Sequence, residues 1–185
     1  LFVSYYVYDL SRLYELDWIK SNDEPLKILN INAGFDETTD LLSFKFKNSE
    51  VLSYDFFDSE KHTEVSIKRA RKAYPPSIDT VKFEASNLEL KTASIDKVFL
   101  ILSAHEIRND NEKIIFLKSI KSVLKPNGEI TVVEHLRDVP NFMAYNIGSF
   151  HFFSKSTWLN VFKSSGLTLV DERRHTSFIS IFKLE

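Results

Sequence analysis

The chain contains no cysteine. That removes disulfides, thiolate metal ligands and a cysteine nucleophile, and it suits a reducing compartment such as the cytoplasm. Only 4 glycines occur in 185 residues, and no G-x-G-x-x-G phosphate loop is present. The 5 prolines are scattered and no low-complexity tract occurs, so nothing marks a linker, and the simplest organisation is one domain over residues 1–185. No apolar run is long enough to span a bilayer. No signal-peptide pattern opens the chain, which begins at Leu1 rather than at methionine and so leaves room for residues ahead of it. A formal charge of -2 gives no overall pull toward nucleic acid or an anionic membrane.

Aromatic residues are plentiful. They gather at the amino end (Phe2, Tyr5, Tyr6, Tyr8, Tyr14, Trp18) and again between Phe142 and Trp158. Leu10, Leu13, Tyr14 and Trp18 recur at helical steps, which predicts an amphipathic helix from Tyr6 to Lys20. Helices are also expected over Asp36 to Phe46, Glu60 to Tyr74 (stopped by Pro75-Pro76), Asn109 to Leu124 and Ser156 to Ser165. Asn109 and Glu112 resemble a capping box. Strands are expected at Leu26 to Ile31, Val51 to Tyr54, Thr80 to Glu84, Ile95 to Leu102, Ile130 to Val133, Leu167 to Asp171 and Phe178 to Leu184, with Pro126-Asn127-Gly128 as a turn. The apolar run Val98 to Leu102 suits a central strand covered on both faces. Leu136 to Phe153 reads as an irregular aromatic stretch.

Strand and helix alternate, and a tight antiparallel pair closes the chain. This predicts an α/β fold: a Rossmann-like, doubly wound, mostly parallel seven-stranded sheet with a terminal antiparallel strand and helices on both faces. Ligands of such sheets bind beyond the carboxyl ends of the strands. The tips to watch are Asn30 to Gly34, Asp55, Ala85 to Asn87, Ser103 to Glu106 and Glu134 to Arg137. A strand that breaks into a glycine turn, followed by a strand that ends on an acid, is the layout of a nucleotide-type cofactor site. Gly34 would allow close backbone approach and Asp55 would accept hydrogen bonds from a ribose hydroxyl pair. Asp55 could otherwise cap the loop that follows it.

These tips, in this order, resemble class I S-adenosylmethionine-dependent methyltransferases of the small-molecule type, from about Leu26 to the carboxyl end. Ile28-Leu29-Asn30-Ile31-Asn32-Ala33-Gly34 stands where that family has its glycine-rich first motif. Ser94-Ile95-Asp96-Lys97-Val98 resembles its "S-F-D-x-V", Leu124-Lys125-Pro126-Asn127-Gly128-Glu129-Ile130 its "L-K-P-G-G-x-L", and Ser165-Gly166-Leu167 its "A-G-F". The first motif is degenerate: Asn30 replaces the usual acid, Asn32 the first glycine and Asp36 the last, and Ala85-Ser86-Asn87 offers only neutral groups where the family has an acid near the adenine. The resemblance implies S-adenosyl-L-methionine as cofactor, held by Asn30, Asn32, Gly34, Asp55, Phe56, Ser86, Asn87 and Ser103. It implies methyl transfer to a small, partly apolar acceptor. Residues 1–22 would form a helical lid and residues 136–153 an acceptor-pocket insertion.

His105 and His135 are the candidate general bases, because an unperturbed imidazole titrates near neutrality. The other reading of the first pairs Glu106 with Arg108 and leaves His105 as a helix cap. Arg137, Tyr145 and His151 are candidate acceptor-binding residues, with Arg137 alternatively paired to Asp138 or Glu134. No two of His62, His105, His135, His151 and His175 have metal-ligand spacing, so no metal is expected. Lys68-Arg69-Ala70-Arg71-Lys72 reads as solvated charge at a helix carboxyl end. The alternative to a methyltransferase is a catalytically inactive descendant that binds a ligand or partner. A nicotinamide-dependent oxidoreductase is opposed by the missing G-x-G-x-x-G and by the terminal antiparallel pair.

Overall fold

The computed structural model describes residues 2–21, 23–60 and 65–185. Leu1 and Asn22 of the expected lid, residues 61–64 of the expected helix Glu60 to Tyr74 (His62 among them) and the side chains of Phe2 and of residues 65–68 lie outside the described residues.

Seven strands form one sheet: β1 (Lys27–Asn32), β2 (Glu50–Asp55), β3 (Val81–Lys82), β4 (Ile95–Ile101), β5 (Leu124–His135), β6 (Leu169–Arg174) and β7 (Ile179–Leu184). Their spatial order is β3-β2-β1-β4-β5-β7-β6. Strands β1 to β5 pair in parallel, whereas β7 runs antiparallel to both β5 and β6. The winding direction reverses between β1 and β4, which makes the crevice above those two strands the ligand position. The expected architecture is therefore present.

The central strands are apolar without interruption because both faces are covered. Adjacent residues point to opposite faces. Leu29, Val98, Leu100, Val132 and Phe182 join one core with Phe116 and Leu117 of α4 (Asp110–Val123) and Trp158 and Phe162 of α6 (Lys155–Ser164). Ile28, Phe99, Val133 and Ile181 join the other, with Leu42 of α2 (Thr39–Lys45) and Val7, Leu13, Leu16, Trp18 and Ile19 of the amino-terminal segment.

That segment is not the predicted amphipathic helix. After α1 (Phe2–Tyr5) come a π turn over Tyr6–Leu10 and a 3-10 turn over Leu13–Glu15. Arg12 and Leu16 adopt left-handed backbone, φ 63° and 55°, which an α-helix cannot accommodate. Tertiary contacts stabilise the broken path. His175 Nε2 lies 2.8 Å from the Ser11 carbonyl, Arg173 donates to the Trp18 carbonyl, and the Trp18 indole donates to the Leu13 carbonyl at 2.8 Å.

The stretch Leu136 to Phe153, expected to be irregular, contains α5 (Val139–Tyr145), capped by Asp138, and a 3-10 turn, Asn146–His151. Two further departures have local causes. Pro126-Asn127-Gly128 is not a free turn but part of β5: Leu124 pairs with Ile95 and Glu129 with Lys97, so residues 125–128 bulge against Asp96 alone. A Cβ at Gly128 would stand 2.5 Å from the Leu124 Cγ and 3.1 Å from the Asp96 carbonyl oxygen, which explains a residue without a side chain there. Helix α2 starts at Thr39 rather than Asp36, because the Asp36 carboxylate accepts the backbone N–H groups of Thr38 (3.1 Å) and Thr39 (3.0 Å) and so caps the helix.

Candidate active site

The turn after β1 keeps its shape by side-chain hydrogen bonds where repeated glycines are missing. Asn32 does not use left-handed backbone, the property that its place in the motif suggested. Its Oδ1 accepts the N–H of Gly34 at 3.2 Å, and Gly34 itself takes φ 102°. This is an Asx turn, in which a side-chain carbonyl replaces a backbone one. Asn30 is buried beneath the turn and donates from Nδ2 to Thr38 Oγ1 (2.9 Å), Thr39 Oγ1 (2.8 Å) and Asp36 Oδ1 (3.3 Å). The carboxylate absent at position 30 thus comes from Asp36, whose Oδ2 also accepts the Ser53 hydroxyl at 2.6 Å.

Gly34 and Asp55 converge on one cation. Arg71, in α3 (Val65–Ala73), donates from a single nitrogen, Nη1, to the Gly34 carbonyl at 2.8 Å and to Asp55 Oδ2 at 2.5 Å. The Asp55 side chain is 1% exposed and that of Arg71 17%. The guanidinium lies 4.5 Å over the Phe57 ring. The other carboxylate oxygen of Asp55 accepts the N–H of Phe57 at 2.9 Å, so Asp55 also caps its loop. Arg71 is therefore not a solvated charge at a helix end, as the basic run suggested. It is turned inward, onto the spot where the glycine turn and the acid meet.

Gly34 itself lines a cavity of about 520 Å³ with Asp36 and Tyr74, and two further cavities begin at the residues next to Gly34 and Asp55. The first of these two, of about 480 Å³, is lined by Asn32, Ala33 and Ser103 below and by Tyr8, Tyr14 and Phe152 above. The second, of about 730 Å³, is bordered by Phe56, Phe57, Phe83 and Ala85. An elongated ligand with one polar and one flat apolar end fits that division. The residues present fit S-adenosylmethionine once the Arg71 guanidinium leaves Asp55: the freed carboxylate stands at the junction, Gly34 and Asn32 offer turn backbone, and Phe56 and Ala85 offer an apolar wall.

Four ionisable side chains meet over the first cavity. His105 Nδ1 lies 2.7 Å from Glu134 Oε2, and its backbone N–H donates to Glu134 Oε1 at 3.1 Å. His105 Nε2 is 3.2 Å from Glu106 Oε1, and His151 Nε2 approaches the same oxygen at 3.7 Å. Burial alone would lower the His105 pKa, but the Glu134 and Glu106 carboxylates outweigh it and raise it to about 10. In the metal-free protein His105 is a cation at neutral pH and has no electron pair to accept a proton. Burial likewise opposes ionisation of Glu106, yet His105 and His151 hold its carboxyl well below the usual range. Arg108 does not pair with Glu106. It donates to the carbonyls of His105 (3.1 Å) and His151 (2.6 Å) and lies 4.5 Å over Phe153.

His135 has the opposite character. Its Nδ1 faces two acceptors, Asn141 Oδ1 and the Phe178 carbonyl, both at 3.1 Å, which places the proton there. Its Nε2 is 3.2 Å from the Tyr8 hydroxyl. Burial outweighs these bonds and lowers its pKa, so it is neutral, with an electron pair on Nε2 facing the cavity through Tyr8. Burial raises the Tyr8 pKa, which keeps that hydroxyl protonated.

Of the residues singled out by sequence, Asn32, Ser103, His105, His135 and His151 line the first cavity and Phe56 the second. Asn30 supports the turn from beneath. Ser86 and Asn87 lie exposed in a turn, where Asn87 donates backbone and side chain to Glu84 and Glu89. Arg137 is exposed, and Asp138 pairs with Arg174 instead, at 2.5 Å. Tyr145 packs edge-on against His135, with ring centres 5.3 Å apart. Sequence reasoning missed Arg71, which reaches the site from an element distant in sequence, and placed Tyr8 and Tyr14 within the lid of residues 1–22 without giving either a role of its own.

The model of the ubiE/COQ5 methyltransferase family matches residues 2–178. No curated protein sequence matches the chain. Among solved structures, a SAM-dependent methyltransferase from Aquifex aeolicus superposes with a TM-score of 0.66 at 16% identity, covering 96% of this chain and 94% of the other. One from Methanosarcina mazei gives 0.64 at 15%, covering 96% of each. The cyclase SpnF gives 0.65 at 13%, covering 94% of this chain and 79% of the other. At such identities these structures establish the fold, while the family match extends over nearly the whole chain. With the glycine turn, the aspartate of β2 and the cavity at the switch point, it leads to one assignment: the chain belongs to the ubiE/COQ5 methyltransferase family, a SAM-dependent methyltransferase.

Proposed function

We propose that this protein methylates a small, partly apolar acceptor bound in the cavity between the glycine turn and the amino-terminal aromatic segment. The observation that carries the reading is the meeting of Gly34 and Asp55 at one point, with a cavity beginning at the residue next to each. Gly34, Asn32 and Ser103 would contact the amino-acid end of the cofactor, Asp55 its ribose hydroxyls, and Phe56 with Ala85 the wall beside its base. S-adenosylmethionine supplies, when bound, an already activated methyl group. The protein's work is then to position the acceptor and exclude water. Tyr8, Tyr14 and Phe152 form an apolar wall around the acceptor position. The amino-terminal segment acts as a lid, because Tyr8 and Tyr14 close the cavity from above. A proton leaving an acceptor hydroxyl or ammonium passes through the Tyr8 hydroxyl to His135 Nε2, the one neutral imidazole nitrogen so placed among the described residues. His105, paired with Glu134 and Glu106, does not take the proton.

Calorimetry tests the first half. S-adenosylhomocysteine should bind folded protein, and Asp55→Ala should abolish binding; no heat at millimolar ligand refutes the reading. Single-turnover methylation across a panel of small aromatic hydroxyl and amine acceptors tests the second. His135→Gln should lower kcat by about 10²–10⁴-fold while leaving cofactor affinity unchanged, and equal rates would remove His135 from the mechanism.

A further inference from the structure

The cluster above the first cavity has the form of a metal site. His105 and Glu106 sit on the 3-10 turn Ala104–Glu106 that follows β4, and His151 ends the 3-10 turn Asn146–His151. One donor atom from each lies within 4.8 Å of the other two. All three residues line the same cavity. Donors on a common ion, with bonds of about 2.0–2.2 Å and near-tetrahedral or octahedral angles, stand roughly 2.9–3.5 Å apart. The separation of 3.2 Å between His105 Nε2 and Glu106 Oε1 falls inside that span, the 3.7 Å from Glu106 to His151 needs only a few tenths of an ångström, and the two imidazoles, within 4.8 Å of each other, must draw together around the ion by a rotation of the His151 side chain.

Three features of the surroundings support an ion rather than a chance contact. Glu134, fully buried, accepts from His105 Nδ1 at 2.7 Å, which fixes the ring and directs Nε2 toward Glu106. A carboxylate in that position behind a histidine is the usual support of a metal-bound imidazole. Charge agrees as well. With both histidines neutral, the Glu106 and Glu134 carboxylates sum to two negative charges in a buried setting; the Lys113 ammonium offsets part of the charge on Glu134, and a divalent cation answers the rest. Arg108 does not neutralise them, since its guanidinium is turned to the carbonyls of His105 and His151. In doing so it ties together the two backbone segments that carry the imidazoles.

We propose that His105, Glu106 and His151 bind one divalent transition-metal ion, with Glu134 as the outer support of His105. Two imidazoles and a carboxylate suit zinc, iron(II), cobalt or nickel rather than magnesium or calcium, which prefer all-oxygen shells. Three protein ligands leave a position open toward the cavity, as in catalytic rather than structural sites. Resting on the methyl-transfer reading above, the ion takes the acceptor oxygen there: the O–H bond breaks, the proton goes through Tyr8 to His135, and the oxygen stays on the metal without change of oxidation state. The site differs from the linear expectation of no metal because Glu106 and His151 are brought together only by the fold.

The test needs neither cofactor nor acceptor. Chelator-stripped full-length protein is titrated with cobalt(II), followed by visible absorption, and then with zinc in competition. One ion per chain should bind, and zinc should displace it. His151→Gln and Glu106→Gln should each weaken binding by 100-fold or more, and Glu134→Gln by about 10–100-fold. His175→Gln, whose ring contacts the Ser11 carbonyl instead, should bind as wild type. Circular dichroism checks that each variant folds. Absence of saturable cobalt binding by wild type overturns the proposal, as does unchanged affinity in folded His151→Gln; the cluster is then an ion-pair network around a protonated His105. Calorimetry with S-adenosylhomocysteine on the same samples separates this failure from failure of the cofactor reading.

Discussion

Replacing Arg71 by methionine should tighten cofactor binding while weakening the ligand-free fold. In the structure Arg71 Nη1 bridges Asp55 Oδ2 (2.5 Å) and the Gly34 carbonyl (2.8 Å), so a ribose can take the carboxylate only if the guanidinium moves. Breaking a buried pair and leaving one charge uncompensated costs about 3–5 kcal/mol. The Arg71 side chain is 17% exposed, which favours the lower end, because water can follow it out. Ribose hydroxyls return about 1.5–3 kcal/mol for each hydrogen bond to the charged group. Wild type pays the opening cost on binding, whereas Arg71→Met has paid it on folding and keeps an apolar stem over Phe57. The dissociation constant of S-adenosylhomocysteine should therefore fall by about 10–100-fold, equivalent to about 1.4–2.7 kcal/mol. The thermal midpoint of the ligand-free variant should drop, and saturating ligand should restore most of it. Calorimetry and thermal unfolding with and without ligand measure both arms. Equal or weaker binding by the folded variant would refute the argument, and would mean that Arg71 stays in place and contacts the cofactor itself.

Two further tests concern the scaffold. Asn109 accepts the backbone N–H groups of Asn111 (2.9 Å) and Glu112 (3.2 Å) at the start of α4, so Asn109→Ala should cost about 1 kcal/mol in denaturant unfolding, and no loss would deny the cap its role. Lys113 is fully buried over the Phe153 ring, and burial, only partly offset by Asp110, lowers its pKa to about 8. Between that value and the ordinary 10.5 the unfolded chain holds a proton that the folded one has shed, so this group's contribution to stability rises with pH across the window. The stability of Lys113→Met minus that of wild type should accordingly fall as pH increases from 8 upward, and a pH-independent difference would contradict the shift.

The sheet was legible because its signals are local. Val98 to Leu102 and Ile130 to Val133 are short apolar runs bounded by polar residues, and a strand buried on both faces needs nothing else. The amino-terminal segment was misread for a related reason. Leu13 and Trp18 are buried, as helical spacing suggested, but Leu10 is exposed and Val7, Leu16 and Ile19 are buried instead, because the path is set by docking against β6, β7 and the turn between them. In the site, His105 and His135 stood at predicted strand tips, and both line the first cavity. Arg71 sits in a basic run, where composition favours a solvated face, and only the fold reveals that one of those charges faces inward. Glu106 and His151 are separated by α4, β5 and the helical stretch after β5, so no spacing rule could join them. Asp36 was noted only as a lost glycine, because its bonds to Asn30, Thr38 and Ser53 are formed by the fold.

Asp96 accepts the backbone N–H of Lys27 at 2.8 Å and the Lys125 ammonium at 2.8 and 2.9 Å, fastening β1, β4 and the bulge of β5 at the edge of the sheet remote from the cavities. The rivet lies where no substrate goes. Segments at the opposite rim, residues 136–153 among them, can therefore be lengthened, shortened or exchanged while the strand register stays anchored from behind.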